Sequence, residues 1–131
     1  MSLDISLEYK VETHGDIPED ESYVDIEDMG LYYERLNITH NLTTMADKAM
    51  LYEVLWNPHR LLNIDERDDI KAKHLLPILA RGLNNLKTNK EDLLQYNPDN
   101  GWGSYDGLLR FVQNYIKYIK AYPNAYIRIY K

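Results

Sequence analysis

Apolar and polar residues alternate at both ends of the chain. In residues 3–11 the apolar positions on one face are Leu3, Ile5, Leu7, Tyr9 and Val11. This spacing is typical of a half-buried strand. Residues 125–130 repeat it, with Ala125, Ile127 and Ile129 on one face. Because two such strands can pair with each other, we predict a small sheet that contains the N- and C-terminal strands. A weaker third strand is predicted over residues 23–26.

Apolar residues in the middle of the chain recur at intervals of three and four, which indicates helices. Three helices are predicted, over residues 41–56, 67–87 and 104–121, with Ser104 as the N-cap of the third. Pro77 lies inside the second, so we expect either a kink or a new helix start near Leu75. The expected fold is α+β, with three helices packed on the small sheet. An all-α helical bundle with ordered tails is the alternative.

Composition indicates one globular domain over residues 1–131. The chain has 44% hydrophobic and 27% charged residues and no cysteine, close to the average of soluble domains. Its longest apolar runs are far shorter than the roughly 20 residues that a bilayer span requires, and residues 1–10 lack the layout of a secretory signal. We therefore expect a cytoplasmic protein with no membrane partner.

Charge is unevenly distributed along the chain, whose formal net charge is −6. Residues 1–36 hold eleven acidic residues against Lys10 and Arg35, whereas the rest of the chain has a small excess of bases. The seven carboxylates between Asp16 and Asp28 are typical of a solvated loop. A calcium or magnesium site is the alternative, but the spacing lacks the ligand positions of an EF-hand. No metal or cofactor is predicted.

Motifs of familiar enzymes are missing from the sequence. The histidines at 14, 40, 59 and 74 are not spaced as zinc ligands, and no phosphate-binding loop, dinucleotide fingerprint or nucleophile elbow occurs. No catalytic residue is assigned on this basis. Residues 110–131 interleave five bases with tyrosines, a pattern found in binders of single-stranded nucleic acid. The acidic pI of about 5.1 argues against that partner.

The strongest polar cluster is residues 37–41, Asn-Ile-Thr-His-Asn, directly before a predicted helix. Since a helix start exposes unpaired N–H groups, these side chains either cap the helix or hold an anionic ligand. Capping by Thr39 or Asn41 is the favoured interpretation.

A second cluster surrounds Trp102, which lies between Gly101 and Gly103. The glycines permit a close backbone approach, and the indole offers a large apolar face. Trp102 is therefore either a platform for a ligand or a pin that holds the loop in the core. The pin is favoured, because a buried indole supplies a large share of a small core.

Four groups of residues in this sequence are similar to motifs of a known protein family. They are Asn37-x-Thr39-His40-Asn41-Leu42, Met45-Ala46, Leu75-x-Pro77-x-Leu79 with Gly82-Leu83, and Asn97-Pro98-x-Asn100-Gly101-Trp102-Gly103-x-Tyr105. Residues 37–125 thereby resemble a family of small uncharacterised proteins encoded in bacterial and phage genomes. The resemblance implies a shared fold and a mobile-element setting, and it implies no reaction. It draws attention to His40, Asn41, Asn100 and Trp102 as a common site.

Three functions follow as hypotheses. The leading one is a non-enzymatic binding or accessory protein with a protein or small-molecule partner. Its ligand-binding residues would be Asn37, Thr39, His40, Asn41, Asn100, Trp102 and Tyr105. The second is a small enzyme in which His40 acts as general base, oriented by Asn37 or Asn41, on an anionic substrate. The third is weak binding of single-stranded nucleic acid through residues 110–131. Tyr126 and Tyr130 either form an edge that pairs two copies as a homo-oligomer or cover a helix.

Overall fold

The computed structural model describes residues 1–10, 23–25 and 36–131 of the chain. Its antiparallel sheet contains β1 (Ser2–Lys10), β2 (Tyr23–Asp25), β3 (Leu36–Thr39) and β4 (Tyr126–Tyr130). β1 is central, and β4 pairs with one of its edges. On the other edge, β3 pairs with the Ser2 end of β1 and β2 pairs with its Lys10 end. The predicted α+β fold, with the N- and C-terminal strands in one sheet, is confirmed.

The period of two along the strands decides which side chains enter the core. Leu3, Ile5 and Leu7 of β1 are at most 2% exposed and face the helices. Their register partners in β3 include Ile38 and Leu36, which are buried on the same face. Ser2 pairs with Thr39 and Asp4 with Asn37, so the intervening polar residues of both strands share the opposite face. A polar surface thus forms at the Ser2 end of the sheet.

The described residues contain six α-helices rather than the three that were predicted. These are α1 (Thr43–Lys48), α2 (Tyr52–Trp56), α3 (Pro58–Leu62), α4 (Leu76–Thr88), α5 (Lys90–Leu93) and α6 (Tyr105–Ala121). Short 3₁₀ turns precede α1 and α4 and follow α5.

The helix predicted over residues 41–56 is divided by a turn at Met50, whose φ of 62° is left-handed. The Asn85 side chain of α4 donates a hydrogen bond to the Ala49 carbonyl at 3.0 Å and so satisfies a backbone group at the break. After the turn Leu51 is fully buried. It lies against Gly82 of α4, where a Cβ would collide with the leucine. Packing against α4 therefore overrides the helical periodicity here.

The second predicted helix begins at Leu76 rather than at residue 67. Pro77 lies in the first turn of α4. Backbone N–H groups there have no acceptor within the helix, so the missing N–H of proline costs no hydrogen bond. The predicted new start near Leu75 is confirmed. α6 begins as predicted, because the Ser104 hydroxyl accepts a hydrogen bond from the Gly107 N–H at 3.1 Å.

α6 packs against both α4 and β3. The apolar residues that recur along it at intervals of three and four, Leu108, Val112, Tyr115 and Ile119, are all fully buried. Within the described ranges, no helix combines the length and hydrophobicity that crossing a membrane would require.

Candidate functional site

The two polar clusters meet in one open groove of about 500 Å³ between the polar end of the sheet and the loop before α6. Its lining residues are Met1, Ser2, Asn37, Thr39, Asn41, Asn100 and Trp102. We call this feature the asparagine groove. Five of the seven ligand-binding residues that the sequence suggested lie here, and His40 and Tyr105 do not.

Gly103 explains why the two clusters are adjacent. Its φ of 104° disfavours any residue with a side chain. A Cβ at this position would lie 2.7 Å from Cγ2 of Thr39 and 3.0 Å from Cγ of Leu42. The backbone of the loop therefore rests directly on the turn that follows β3.

Trp102 stands out from the surface, with 70% of its area exposed. Its backbone N–H donates to Oδ1 of Asn100 at 2.9 Å, which fixes the turn that carries it. The interpretation of Trp102 as a pin in the core is wrong. Gly103 makes the close contact instead, and the neighbouring Tyr105 enters the core, with an exposure of 2%.

The strand side of the groove is held by local hydrogen bonds. The Asn37 side-chain amide donates to Oδ1 of Asp4 at 2.9 Å and to Oγ of Ser2 at 3.1 Å, across the β1–β3 pair. Oγ1 of Thr39 accepts from the Asn41 N–H at 3.2 Å. The predicted capping by Thr39 is therefore confirmed, although the cap serves a 3₁₀ turn over His40–Leu42 rather than a long helix.

Several polar groups of the groove have unused hydrogen-bonding capacity. Among the described residues, the Asn41 side-chain amide has no partner, and Asn100 uses its Oδ1 but not its Nδ2. The Thr39 hydroxyl accepts a bond and retains its own hydrogen for donation. No charged side chain is among the groove's lining residues in the described part of the chain, although Met1 carries the N-terminal amino group.

His40 turns away from the groove although its two neighbours line it. Its ring lies 6.0 Å from that of Trp56 in an edge-to-face arrangement. Nε2 is buried and has no hydrogen-bond partner among the described residues. The His40 backbone N–H donates to the Met1 carbonyl at 3.2 Å, which ties the turn to the start of β1. His40 therefore packs against Trp56 and is not among the described residues that line the groove.

Tyr105 is buried beside the groove and connects the loop that carries Trp102 to α4. Its hydroxyl donates to the Leu86 carbonyl at 2.6 Å, and its backbone N–H donates to Oδ1 of Asn97 at 2.8 Å. Burial raises the pKa of the Tyr105 hydroxyl, and the nearby negative charge of Asp106 adds to the increase. Tyr105 thus links α4 to the loop and stays protonated.

Residues 110–131 do not present their tyrosines as one surface. Tyr115 and Tyr118 are buried in the core. Arg128 binds Glu8 and Asp69, with N–O distances of 2.9 and 2.7 Å. The bases Arg110, Lys117 and Lys120 are exposed on α6.

A second concavity, of about 200 Å³, lies between α3 and β4. We call it the charged cleft. It is lined by Trp56, Asn57, Pro58, His59, Glu66, Ile127, Arg128, Ile129 and Lys131.

Within the described ranges, no group of three or more His, Cys, Asp or Glu side chains could hold a metal ion. The acidic residues of the segment 16–28 lie, apart from Asp25, outside the described residues.

Met1 and Ser2 also line the groove, and sequence reasoning missed both. Their position depends on the pairing of β1 with β3, a strand of four residues that was not predicted. The alternation of Leu36 and Ile38 with Asn37 and Thr39 is the signal that could have revealed it.

Comparison of the chain with protein-family models, with curated proteins and with solved structures finds no match. Function is therefore inferred from the geometry of the asparagine groove.

Proposed function

We propose that the chain is a non-enzymatic binding or accessory protein and that the asparagine groove is its ligand site. The observation that carries this proposal is an indole with 70% exposure, held beside side chains from two distant segments of the chain. Tryptophan is highly buried on average, and exposed apolar surface in a concavity is typical of binding sites. The groove volume lies within the range of roughly 300–1,000 Å³ that small-molecule sites occupy.

The chemistry of the lining supports binding rather than catalysis. A general acid or base needs a titratable side chain within hydrogen-bonding reach of the reacting atom. In the described part of the groove the polar side chains are amides and hydroxyls. His40 is not among the described lining residues and its Nε2 is buried, so the groove supports the general-base hypothesis less than it supports binding. The net charge of −6 argues against nucleic acid as partner.

We further propose a cytoplasmic location and a role within a phage or another mobile element. The resemblance of residues 37–125 to bacterial and phage proteins supports the setting. The absence of cysteine from the chain is compatible with a reducing compartment.

A thermal-shift screen with a library of small metabolites tests the site. Wild-type protein is compared with Trp102→Ala and with Met50→Ala, which removes an apolar side chain of 69% exposure outside the groove. We expect at least one compound to raise the Tm of the wild type and of Met50→Ala but not of Trp102→Ala, because ligands that bind the folded state stabilise it. Absence of any shift, or equal shifts in all three proteins, would contradict the proposal.

A further inference from the structure

Building on the proposed binding function, we infer that the asparagine groove recognises a neutral carbohydrate. A pyranose ring would stack on the indole of Trp102, and its hydroxyl groups would bind the surrounding amides and hydroxyls. The inference rests on three features of the groove: the presentation of the indole, the set of hydrogen-bonding groups and the lack of charged side chains among the described lining residues.

Two contacts hold the backbone that carries Trp102. Gly101 and Gly103 on either side have φ values of 75° and 104°, and the Trp102 N–H is bound by Asn100. Gly103 in turn rests on Thr39 and Leu42. A pyranose has one face of C–H groups that is flat and apolar, which matches the flat apolar face of an indole. Because these two contacts form without a ligand, part of the ordering entropy of the loop is lost before binding and does not oppose this contact.

The hydrogen-bonding groups beside the indole match sugar hydroxyls. A hydroxyl donates one hydrogen bond and accepts others, so it is best bound by neighbouring donors and acceptors. In the described residues the Asn41 amide offers both kinds of group, Nδ2 of Asn100 offers donors and the Thr39 hydroxyl offers its hydrogen. All three side chains line the same groove as Trp102.

Apart from the N-terminal amino group of Met1, the described lining residues offer no charged group, and this disfavours anionic ligands. A phosphate or carboxylate group would find no cationic side chain among the described lining residues, and the net charge of −6 repels polyanions. The carboxylate of Asp4 behind the groove already accepts a hydrogen bond from Asn37. Peptides commonly use an open strand edge, an apolar groove or a row of aromatic residues. The groove, with one exposed indole among amide side chains, resembles a sugar-binding site more closely than it resembles any of these peptide-binding surfaces.

The ligand is either a free sugar or part of a polysaccharide, since the open groove admits both. The probes are maltose, cellobiose, lactose and chitobiose as free sugars, and soluble starch, hydroxyethylcellulose and galactomannan as polymers. Free sugars are titrated by isothermal titration calorimetry, and polymers are tested by affinity gel electrophoresis. Calorimetry needs no tryptophan reporter, so it measures binding to the Trp102 variants and to the wild type in the same way.

We expect at least one of these saccharides to bind the wild type. Trp102→Ala weakens this binding roughly thirtyfold, the loss typical of a truncated central anchor. Trp102→Phe retains an aromatic face and weakens it no more than roughly fivefold. Met50→Ala binds like the wild type. The Kd is unchanged between about 0.05 and about 0.5 M salt, because a neutral ligand makes no ion pairs with the protein.

Three outcomes would overturn the inference. If no saccharide binds at about 20 mM, while a metabolite or a proline-rich peptide binds in a Trp102-dependent way, the carbohydrate assignment fails and the proposed function stands. If a saccharide binds Trp102→Ala as well as it binds the wild type, or if its binding falls steeply with salt, the carbohydrate assignment to this groove fails. If nothing binds through Trp102, both the carbohydrate assignment and the proposed function fail.

Discussion

The asparagine groove and the charged cleft are both polar concavities, but their polar atoms are used differently. In the charged cleft, Arg128 bridges Glu8 and Asp69. Nζ of Lys131 lies 3.0 Å from the Trp56 carbonyl and 2.6 Å from Oδ1 of Asn57. In the groove, the side chain of Asn41 has no partner in the described part of the chain, and an indole is exposed. Polarity alone therefore does not identify a site. What distinguishes the groove is the exposed indole of Trp102, which lies beside amide groups with unused hydrogen-bonding capacity.

Arg128 illustrates the structural use of charge. Burial by itself would lower the pKa of its guanidinium, but its hydrogen bonds to Asp69 and Glu8 raise that pKa above the ordinary value. The side chain is therefore permanently charged and joins β4 to β1 and to the segment before α4. The cleft volume of about 200 Å³ is also below the range of typical small-molecule sites.

Gly103→Ala should have the largest effect on stability, because it breaks the contact that forms the groove. The positive φ and the 2.7 Å approach to Thr39 together should lower the free energy of unfolding by about 3 kcal/mol. Ligand binding in the groove should be lost as well. Urea unfolding and the calorimetric titration measure these two effects.

Gly101→Ala is the matched control for that substitution. Gly101 also has a positive φ, of 75°, but a Cβ there would meet no atom within 4 Å. We expect a loss of about 1 kcal/mol from backbone strain and no effect on binding. Equal effects of the two substitutions would contradict the assigned role of the Gly103 contact.

Arg128→Met should destabilise the protein without affecting the groove. It leaves Glu8 and Asp69, whose side chains are 16% and 27% exposed, without their bridging cation. We expect a loss of about 2 kcal/mol. Arg67→Met is the control, because the Arg67–Asp65 pair is solvent-exposed and its removal should leave urea unfolding unchanged. Impaired ligand binding in Arg128→Met would show that the two concavities are coupled.

Tyr105→Phe should lower the free energy of unfolding by about 1 kcal/mol at neutral pH, because the Leu86 carbonyl loses its donor. The pKa of this hydroxyl is raised by burial, so the folded state retains the proton where the unfolded chain begins to lose it, near pH 10. The stabilisation is complete below that pH and falls as the pH rises through the folded-state pKa. The difference between the two proteins should therefore shrink in alkaline urea titrations. A constant difference would contradict the assignment.

His40→Phe should have the smallest effect. Phenylalanine preserves the ring contact with Trp56 and removes the buried Nε2, which has no partner in the described residues. Replacing such a group by an apolar one of similar shape is nearly neutral or slightly stabilising. Ligand binding should be unchanged. A loss of ligand binding with an unchanged Tm would instead indicate that His40 belongs to the ligand site.

The sequence predicted the parts of the fold that depend on long regular patterns. Strands β1 and β4 and helix α6 follow directly from their periodicity, and Pro77 marked the start of α4. The division of residues 41–56 was not predictable, because it depends on Leu51 packing against Gly82, 31 positions away. Tertiary packing there overrides a local pattern that is itself compatible with one helix.

The site was predictable in its residues but not in their orientations. Asn37, Thr39, Asn41, Asn100 and Trp102 were recognisable as two polar clusters, and they lie in one groove. The outward position of Trp102 and the inward position of His40 depend on the short β3 strand and on the Gly103 contact. Neither leaves a strong signal in the sequence.

The most direct test of the groove as a carbohydrate site is a proton–nitrogen correlation spectrum recorded during titration with the free sugars named above. The two tryptophans give two indole N–H signals, one from the groove and one from the core. We predict a saturable shift of the Trp102 signal, together with the side-chain amide signals of Asn41 and Asn100, while the Trp56 signal stays fixed. A Trp102 signal that does not move with any of the sugars, or that moves only together with the Trp56 signal, would contradict the account.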